Sequence, residues 1–544
     1  MEKISVMILF ICLLCVDKMK VTWAAKTFEL SKDLTSRFIE FIELGKKLIS
    51  CGFEPKQVRD VGASKGEWTK SILSIYPNAQ YLLVEANDFF EPLLKDIDQT
   101  YEVAMISDKI LPNAEFYIGS GDSAGSSMHR ENSQHPFHKI VRPSHTIDEL
   151  AQKHNWNPDI LKIDIQGSEF QALRGATKVL KTATIVFIEA PVHNFNQGAA
   201  SFRQISILLS RAGFELYDVF GENYVGQFMI QFDAVYVRKS SSLWSQACTG
   251  FPVPGTFRLP TNSKTVAEEL SSKTTATTTS NTNTDTRATT TSLSWLKEQI
   301  TPRLYEEEFW KFGQIGCGYK PAVIMDVGAA SGKWSIKAKE NFPDAKLFLI
   351  EANPEFESSL KSLNTPYEMV LVSDKESSNA KFHVPINENV AGGSLLTSNI
   401  IPSKLTAMAS TTLDALARKH NLYPDLLKLD VQGGEYLVLK GATEVMKSAS
   451  MITLEIQIHN LYQGAPSFRQ IATLLWKAGF ELYDIYGFNF LGYYIVQFDA
   501  VFVRTSSFLW HQNCTGFPVP AHFKLDVSGK MNQLKDKVKA PFSD

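Results

Sequence analysis

The stretch Val58–Trp68, VRDVGASKGEW, reads as a buried strand that ends in a glycine turn and runs straight into a helix. Asp60 closes the strand, Gly62 sits in the turn and Gly66 opens the helix. A turn this tight needs glycine for backbone freedom. The N–H groups at the start of the helix can then face an anion or carboxylate. A near-copy, IMDVGAASGKW, spans Ile324–Trp334 and carries Asp326, Gly328 and Gly332. The G-x-x-x-G spacing alone is unspecific, and it departs from the G-x-G-x-x-G of dinucleotide sites.

Outward from these stretches, an offset of 266 residues links Glu85 to Glu351, Asp164 to Asp430, His193 to His459 and Cys248 to Cys514. It slips by one between Asp108 and Ser144. Solenoid repeats have periods of about 20–50 residues; this one is a whole domain, duplicated. The halves are expected at 27–258 and 293–525, with a polar tail at 526–544. Between them, residues 259–292 are threonine-rich and too poor in apolar residues to form a core, which predicts a disordered linker.

Within the first half QVRDVGA, QYLLVEA, YEVAMIS, ILKIDIQG and ATIVFIEA read as strands. Val/Ile/Leu-rich runs without strict alternation predict a parallel sheet covered on both faces. Helical patterns at Glu67–Ser74, Phe89–Asp96, Thr146–His154, Glu169–Leu180 and Ser201–Ala212 separate them. FELYDVFG and FMIQFDAVYVRK follow with so short a link that they must pair antiparallel. Each half is therefore α/β, with about seven strands and an antiparallel last strand. The second strand ends in Glu85, at the distance where an acidic residue binds ribose hydroxyls in doubly wound folds. The third ends in Ser107-Asp108, matched by Ser373-Asp374. Glycine, Glu and Asp at three successive strand ends suit an adenosine ligand.

These motifs resemble the FkbM family of S-adenosylmethionine-dependent methyltransferases. The likeness rests on DVGASKGEW, VEAN, ISDK, AGSS, HTIDELAQKHNWNPDILKIDIQGSEFQALRGA, VHNFNQGAASF and QFDAVYVR, and on their second-half counterparts. It covers nearly all of both halves. It implies two copies of a class I methyltransferase (Rossmann-like) fold, with methyl transfer to an oxygen of a sugar or other hydroxylated acceptor. By position it places Asp60, Gly62 and Gly66 at the methionine end of the cofactor, Glu85 on the ribose and Asp108 at the adenine. Asp326, Gly328, Gly332, Glu351 and Asp374 are their counterparts. Many relatives carry Glu where Gln166 and Gln432 stand, which lowers the charge here.

Methyl transfer needs an aligned acceptor oxygen and a group to take its proton. The candidates are Asp164, Glu169 and His193, and their counterparts Asp430, Glu435 and His459, at or near the ends of the fourth and fifth strands. The alternative for Glu169 is charge compensation at a helix start. Two carboxylates are too few to specify a metal cage, so no metal is assigned. Glu189 and Glu455 also end the fifth strand. Arg203 and Arg469 read as salt-bridge residues, and His154 and His420 as helix-end residues without a catalytic part.

With 544 residues, 44% hydrophobic and 11% aromatic, the chain can bury several cores. A net charge of −3 gives no basic face for nucleic acid. Ile4–Val16 is an apolar run after Lys3, shorter than the about 20 residues of a spanning helix. It fits a secretory signal within residues 1–25, cleaved near Ala25, with an uncleaved type II anchor as the alternative. A cleaved signal leaves no stable membrane insertion and places the chain in the secretory pathway or outside the cell. There Cys51–Cys248 and Cys317–Cys514 are expected as disulfides, since each pair flanks the first and last strands of its half. The same sequence also admits a secreted binding protein that keeps the fold in one or both copies without turnover.

Overall fold

The structure is a computed structural model. It describes residues 36–251 and 318–515, except 120–124, 133–135, 194, 226–227, 387–392, 400 and 492–493. The expected signal, the threonine-rich linker and the polar tail lie outside the described residues.

The first half contains β1 Gln57–Val61, β2 Gln80–Glu85, β3 Thr100–Val103, β4 Met105–Ile106, β5 Leu111–Gly119, β6 Phe137–His145, β7 Ile160–Ile163, β8 Ile185–Pro191, β9 Phe214–Val225 and β10 Phe228–Arg238. Seven of them form one sheet in the order β3-β2-β1-β7-β8-β10-β9. β1 lies parallel to β2 and β7, and β10 runs antiparallel to both β8 and β9. The second half repeats this order strand for strand. β7 is buried at all four positions, as a central strand between two helical layers must be.

Two expectations need correction. YEVAMIS is not one strand. It divides at Ala104 into β3, on the main sheet, and β4, which joins β6 and β5 in a separate three-stranded sheet. The period-two burial of Ala114, Phe116 and Ile118 along β5 is the local signature of that second sheet. The single helix expected over Glu169–Leu180 is two, Glu169–Arg174 and Val179–Thr182. The break falls at Gly175, where a Cβ would lie 2.5 Å from the Ser107 carbonyl oxygen.

The two halves share one apolar core. Buried residues of both, including Phe202, Phe232, Phe468 and Phe498, belong to a single contiguous cluster. The amphipathic helices Phe202–Arg211 and Phe468–Lys477 meet there, with the Phe202 and Phe468 rings 5.6 Å apart. Arg203 reaches Glu481 at 3.0 Å, and Arg469 reaches Glu215 at 3.5 Å. The contact is reciprocal, with matching residues of each half facing the other.

Cys51 and Cys248 form the expected disulfide. It ties the end of the helix Ser36–Ser50 to the segment after β10. Cys514 is also disulfide-bonded, while Cys317 lies outside the described residues. The Cys51–Cys248 link joins positions 197 residues apart, so it removes much freedom from the unfolded chain. Cys51→Ser, Cys248→Ser and the double variant should each lose about 2–4 kcal/mol of stability. Denaturant titration of the three proteins checks this, because loss of one bond makes the double variant no worse than either single one.

Candidate active site

The turn after β1 owes its shape to the absence of a side chain at Gly62. Gly62 has φ +80°, and a Cβ there would stand 1.8 Å from the Asp164 carbonyl oxygen. Gly328 repeats the conformation and the distance against Asp430. Glycine therefore lets the end of β1 close against the end of β7, which brings Asp164 to the rim of the same crevice.

Glu85 at the end of β2 forms the opposite wall. Its Oε2 accepts from the Ser64 N–H at 2.8 Å, and its Oε1 accepts from the Asn87 N–H at 2.7 Å. Glu351 accepts in the same way from Ala330 at 2.7 Å and Asn353 at 2.7 Å. Burial pushes both carboxyls above the ordinary value, against these N–H bonds. The Oε2 of each, with one N–H bond, keeps a further lone pair for a ligand hydroxyl. Between these walls lies a cavity of about 130 Å³ in the first half and about 60 Å³ in the second. Ile106 and Phe116, or Val372 and Phe382, give each an apolar side suited to a purine ring.

A buried lysine, which sequence reasoning missed, joins the parts. Lys162 Nζ donates to the Gly62 carbonyl at 2.9 Å and lies 3.1 Å from Asp60 Oδ1 and 3.6 Å from Asp164 Oδ2. Asp60 Oδ2 also accepts from Thr69 Oγ1 at 2.7 Å, so Asp60 braces the turn from beneath. In the second half Lys428 stands between Asp430 and Asp326, at 3.2 and 3.5 Å. Burial works against its charge, but Asp430, Asp326 and Asp499 together outweigh burial and hold its pKa above the usual value. The available signal was a lysine inside an otherwise apolar strand, at the same place in both copies.

Asp164 and Asp430 line the two cavities. Gln166 Nε2 donates to Asp164 Oδ1 at 3.0 Å and to Glu189 Oε2 at 3.1 Å, and Gln231 bonds the other oxygen of Glu189. Gln432 and Gln497 do the same for Asp430 and Glu455. Burial, then Asp430, Glu435 and Asp499, raise the Glu455 carboxyl well above its ordinary range. Gln166 holds φ +56° and Gln432 φ +55°, a conformation uncommon for residues with a side chain.

The remaining candidates lie elsewhere. Glu169 is buried under the turn it follows, where Oε1 accepts from the Ile165 and Gly167 N–H groups at 2.9 and 3.0 Å. Glu435 does this for Val431 and Gly433. Burial raises both to about 7, and neither lines either of the two crevice cavities. They hold the turn's backbone rather than face an acceptor. Asp108 pairs with Arg174 at 3.2 Å and Asp374 with Lys440 at 2.8 Å, outside the cavities. The apolar residues just before them, Ile106 and Val372, line the cavities instead. Gly66 and Gly332 serve packing, since a Cβ would meet Ile97 or Leu363 at 2.1 or 2.2 Å.

His193 and His459 depart furthest from the expected proton-acceptor role. Both are 2% exposed and sit in the seam between the halves. His193 Nε2 bonds the Tyr483 carbonyl at 3.1 Å, and the ring packs on Tyr483 and Trp510. His459 packs on Tyr217, Trp244 and Phe251 of the first half. Neither lines either of the two crevice cavities. No sequence period distinguishes a seam histidine from a crevice histidine two residues past a strand end. His154 and His420 pair with Glu102 and Glu368 at helix ends, as expected.

The family model described as the methyltransferase FkbM domain matches residues 60–216 and again residues 326–482. Among solved structures, a methyltransferase FkbM from Methylobacillus flagellatus KT is 11% identical, with a TM-score of 0.24. The match covers 38% of this chain and 50% of that chain, so only half of the Methylobacillus protein has a counterpart here. Aeropyrum pernix fibrillarin in complex with natively bound S-adenosyl-L-methionine is 13% identical, covering 34% of this chain and 67% of that one, with a TM-score of 0.21. The magnesium protoporphyrin IX methyltransferase of Synechocystis PCC 6803 with bound SAM is 9% identical over 38% of this chain and 85% of that one, with a TM-score of 0.21. No curated protein matches the chain.

The seam histidines make a pH prediction. Burial lowers each imidazole from 6.5 to about 4. The unfolded chain then binds these protons first, so their stabilisation is full above about pH 6.5 and falls as pH drops toward about 4. Glu169, Glu435 and Glu481, raised by burial to about 7, act in the opposite direction. The diagnostic is therefore a difference between proteins. Relative to the His193→Phe/His459→Phe variant, the parent should lose up to roughly tenfold in folding equilibrium per pH unit and per histidine across that window. Urea titrations at several pH values measure it, and parallel profiles would count against this placement.

Proposed function

Because the chain belongs, in both of its halves, to the FkbM methyltransferase family, we propose that each crevice binds S-adenosylmethionine and that the chain methylates an oxygen of a sugar or other hydroxylated acceptor. The observation that carries this is the fixed carboxylate of Glu85 beside the bare backbone of Gly62, repeated as Glu351 beside Gly328. The residues fit the cofactor. Gly62 lines the cavity and lets the turn close against Asp164, Glu85 offers acceptor oxygens to ribose hydroxyls, and Ile106 with Phe116 offers an apolar face.

When bound, the cofactor supplies an electrophilic methyl group on a sulfonium whose departure leaves a neutral thioether. The protein's task is to position and deprotonate. Asp164 lies at the cavity wall, steadied by Gln166, with Lys162 near its other oxygen. An acceptor hydroxyl bonded to Asp164 would be held in the crevice, and the carboxylate would take its proton during methyl transfer. A hydroxyl becomes acidic only late in that step, so a carboxylate suffices as base. Gln166 and Gln231 hold Glu189 behind Asp164 and orient the pair.

We place this activity in the secretory pathway. The apolar Ile4–Val16 and the Cys51–Cys248 disulfide support that reading. Among the described residues, no helix is long and apolar enough to cross a membrane.

Titration calorimetry of the oxidised full chain with S-adenosylmethionine is the test. Binding is expected, and Glu85→Ala with Glu351→Ala should weaken it roughly tenfold or more, the scale of a lost hydrogen bond to a charged group. Gly62→Ala with Gly328→Ala should abolish it. A folded chain that gives no heat with S-adenosylmethionine would overturn the proposal. Binding without methyl transfer to any hydroxylated compound would leave a non-catalytic binding protein.

A further inference from the structure

The crevices are built alike on the cofactor side and differently on the other. In the first half Ser168 lines the cavity, is 1% exposed, and its Oγ has no hydrogen-bond partner. A buried hydroxyl without a partner is costly, which marks the place where a ligand atom belongs. Gly434 stands at the equivalent position of the second half.

The second difference packs against the glycine just before this position, Gly167 or Gly433. Tyr462 of the second half is 4% exposed, and its phenol donates to Gln432 Oε1 at 2.7 Å. Its counterpart Asn196 is a shorter side chain packed beside Gly167, and Gln166 and Gln432 both line their cavities. Nearby, His129 lies between the Gln197 carbonyl at 2.9 Å and Gln171 Nε2 at 3.0 Å. Leu396 and Leu437 take the places of His129 and Gln171 in the second half. That half has an unpartnered amide of its own, Gln457, but it borders Gly433 together with the Tyr462 ring and does not line the cavity.

We infer that the acceptor enters only the first half, where Ser168 Oγ bonds one of its hydroxyls, and that Tyr462 closes the matching passage in the second. This rests on the crevices being methyl-donor sites. The acceptor is an uncharged polyol of the sugar class. Asp164 at the cavity wall repels an anion, while its oxygens and Ser168 Oγ together receive neighbouring hydroxyls. The second half keeps the smaller cavity, about 60 Å³ against about 130 Å³.

Saturation-transfer NMR of the full chain with methyl hexopyranosides, at saturating S-adenosylhomocysteine, tests the assignment. Ser168→Gly and Asn196→Tyr each install a residue that the chain's other half already carries. Each should weaken hexoside binding roughly three- to tenfold, as expected for one neutral hydrogen bond, with S-adenosylhomocysteine affinity unchanged by calorimetry. Tyr462→Asn should add a second hexoside site. If Asn196→Tyr fails to fold, Ser168→Gly decides alone. The inference is overturned if the parent protein binds no hexoside, if Ser168→Gly leaves binding intact, or if Ser168→Gly weakens the nucleoside equally. A parent protein that takes hexoside but not S-adenosylhomocysteine would remove the donor reading and leave the Ser168 assignment standing.

Discussion

One close approach organises each half: the backbone of Gly62 against the carbonyl of Asp164, and of Gly328 against that of Asp430. It joins the ends of the first and fourth strands of the main sheet. Everything with chemical potential is then arranged around that junction. Glu85 takes its position from the Ser64 N–H just past the turn, Lys162 bonds the Gly62 carbonyl, and Asp164 projects from the contact itself. A side chain at this glycine would separate the strands and scatter all three groups at once.

The second constraint is the seam. Two helices bring their apolar faces together, and each half places a histidine among the aromatic residues of the other. The phenol of Tyr217 holds the Leu243 carbonyl at 3.2 Å, and that of Tyr483 holds Leu509 at 3.1 Å. The turn carrying Trp244 or Trp510 is thereby fixed next to the incoming imidazole. The disulfide at Cys248 anchors the same segment from its far side. Crevice and seam are thus separate structures on one sheet, and His193 belongs to the second.

The sheet was legible in the sequence because its strands are apolar runs bounded by glycine and acidic ends. The antiparallel pair followed from a link too short for a crossover. Glu85 and Gly62 were legible as well, since a glycine turn and a strand-end carboxylate leave a local mark. Glu169 and His193 misled because position along a strand says nothing about what packs on it. Glu169 turns back onto its own helix start, and His193 meets residues some 290 positions away. Lys162 escaped notice because a charge within a buried strand reads as an exception until its two carboxylates are seen in space.

The seam also bears on how such a chain can change. Two identical subunits related by symmetry must share every substitution, so neither can specialise. Fusion removes that restriction. Here the matched set of histidine, tyrosine, tryptophan and arginine is the same on both sides, while Ser168 faces Gly434 and Asn196 faces Tyr462 in the comparison of halves. The joint is held constant and the mouths of the crevices drift apart, an asymmetry closed to identical subunits.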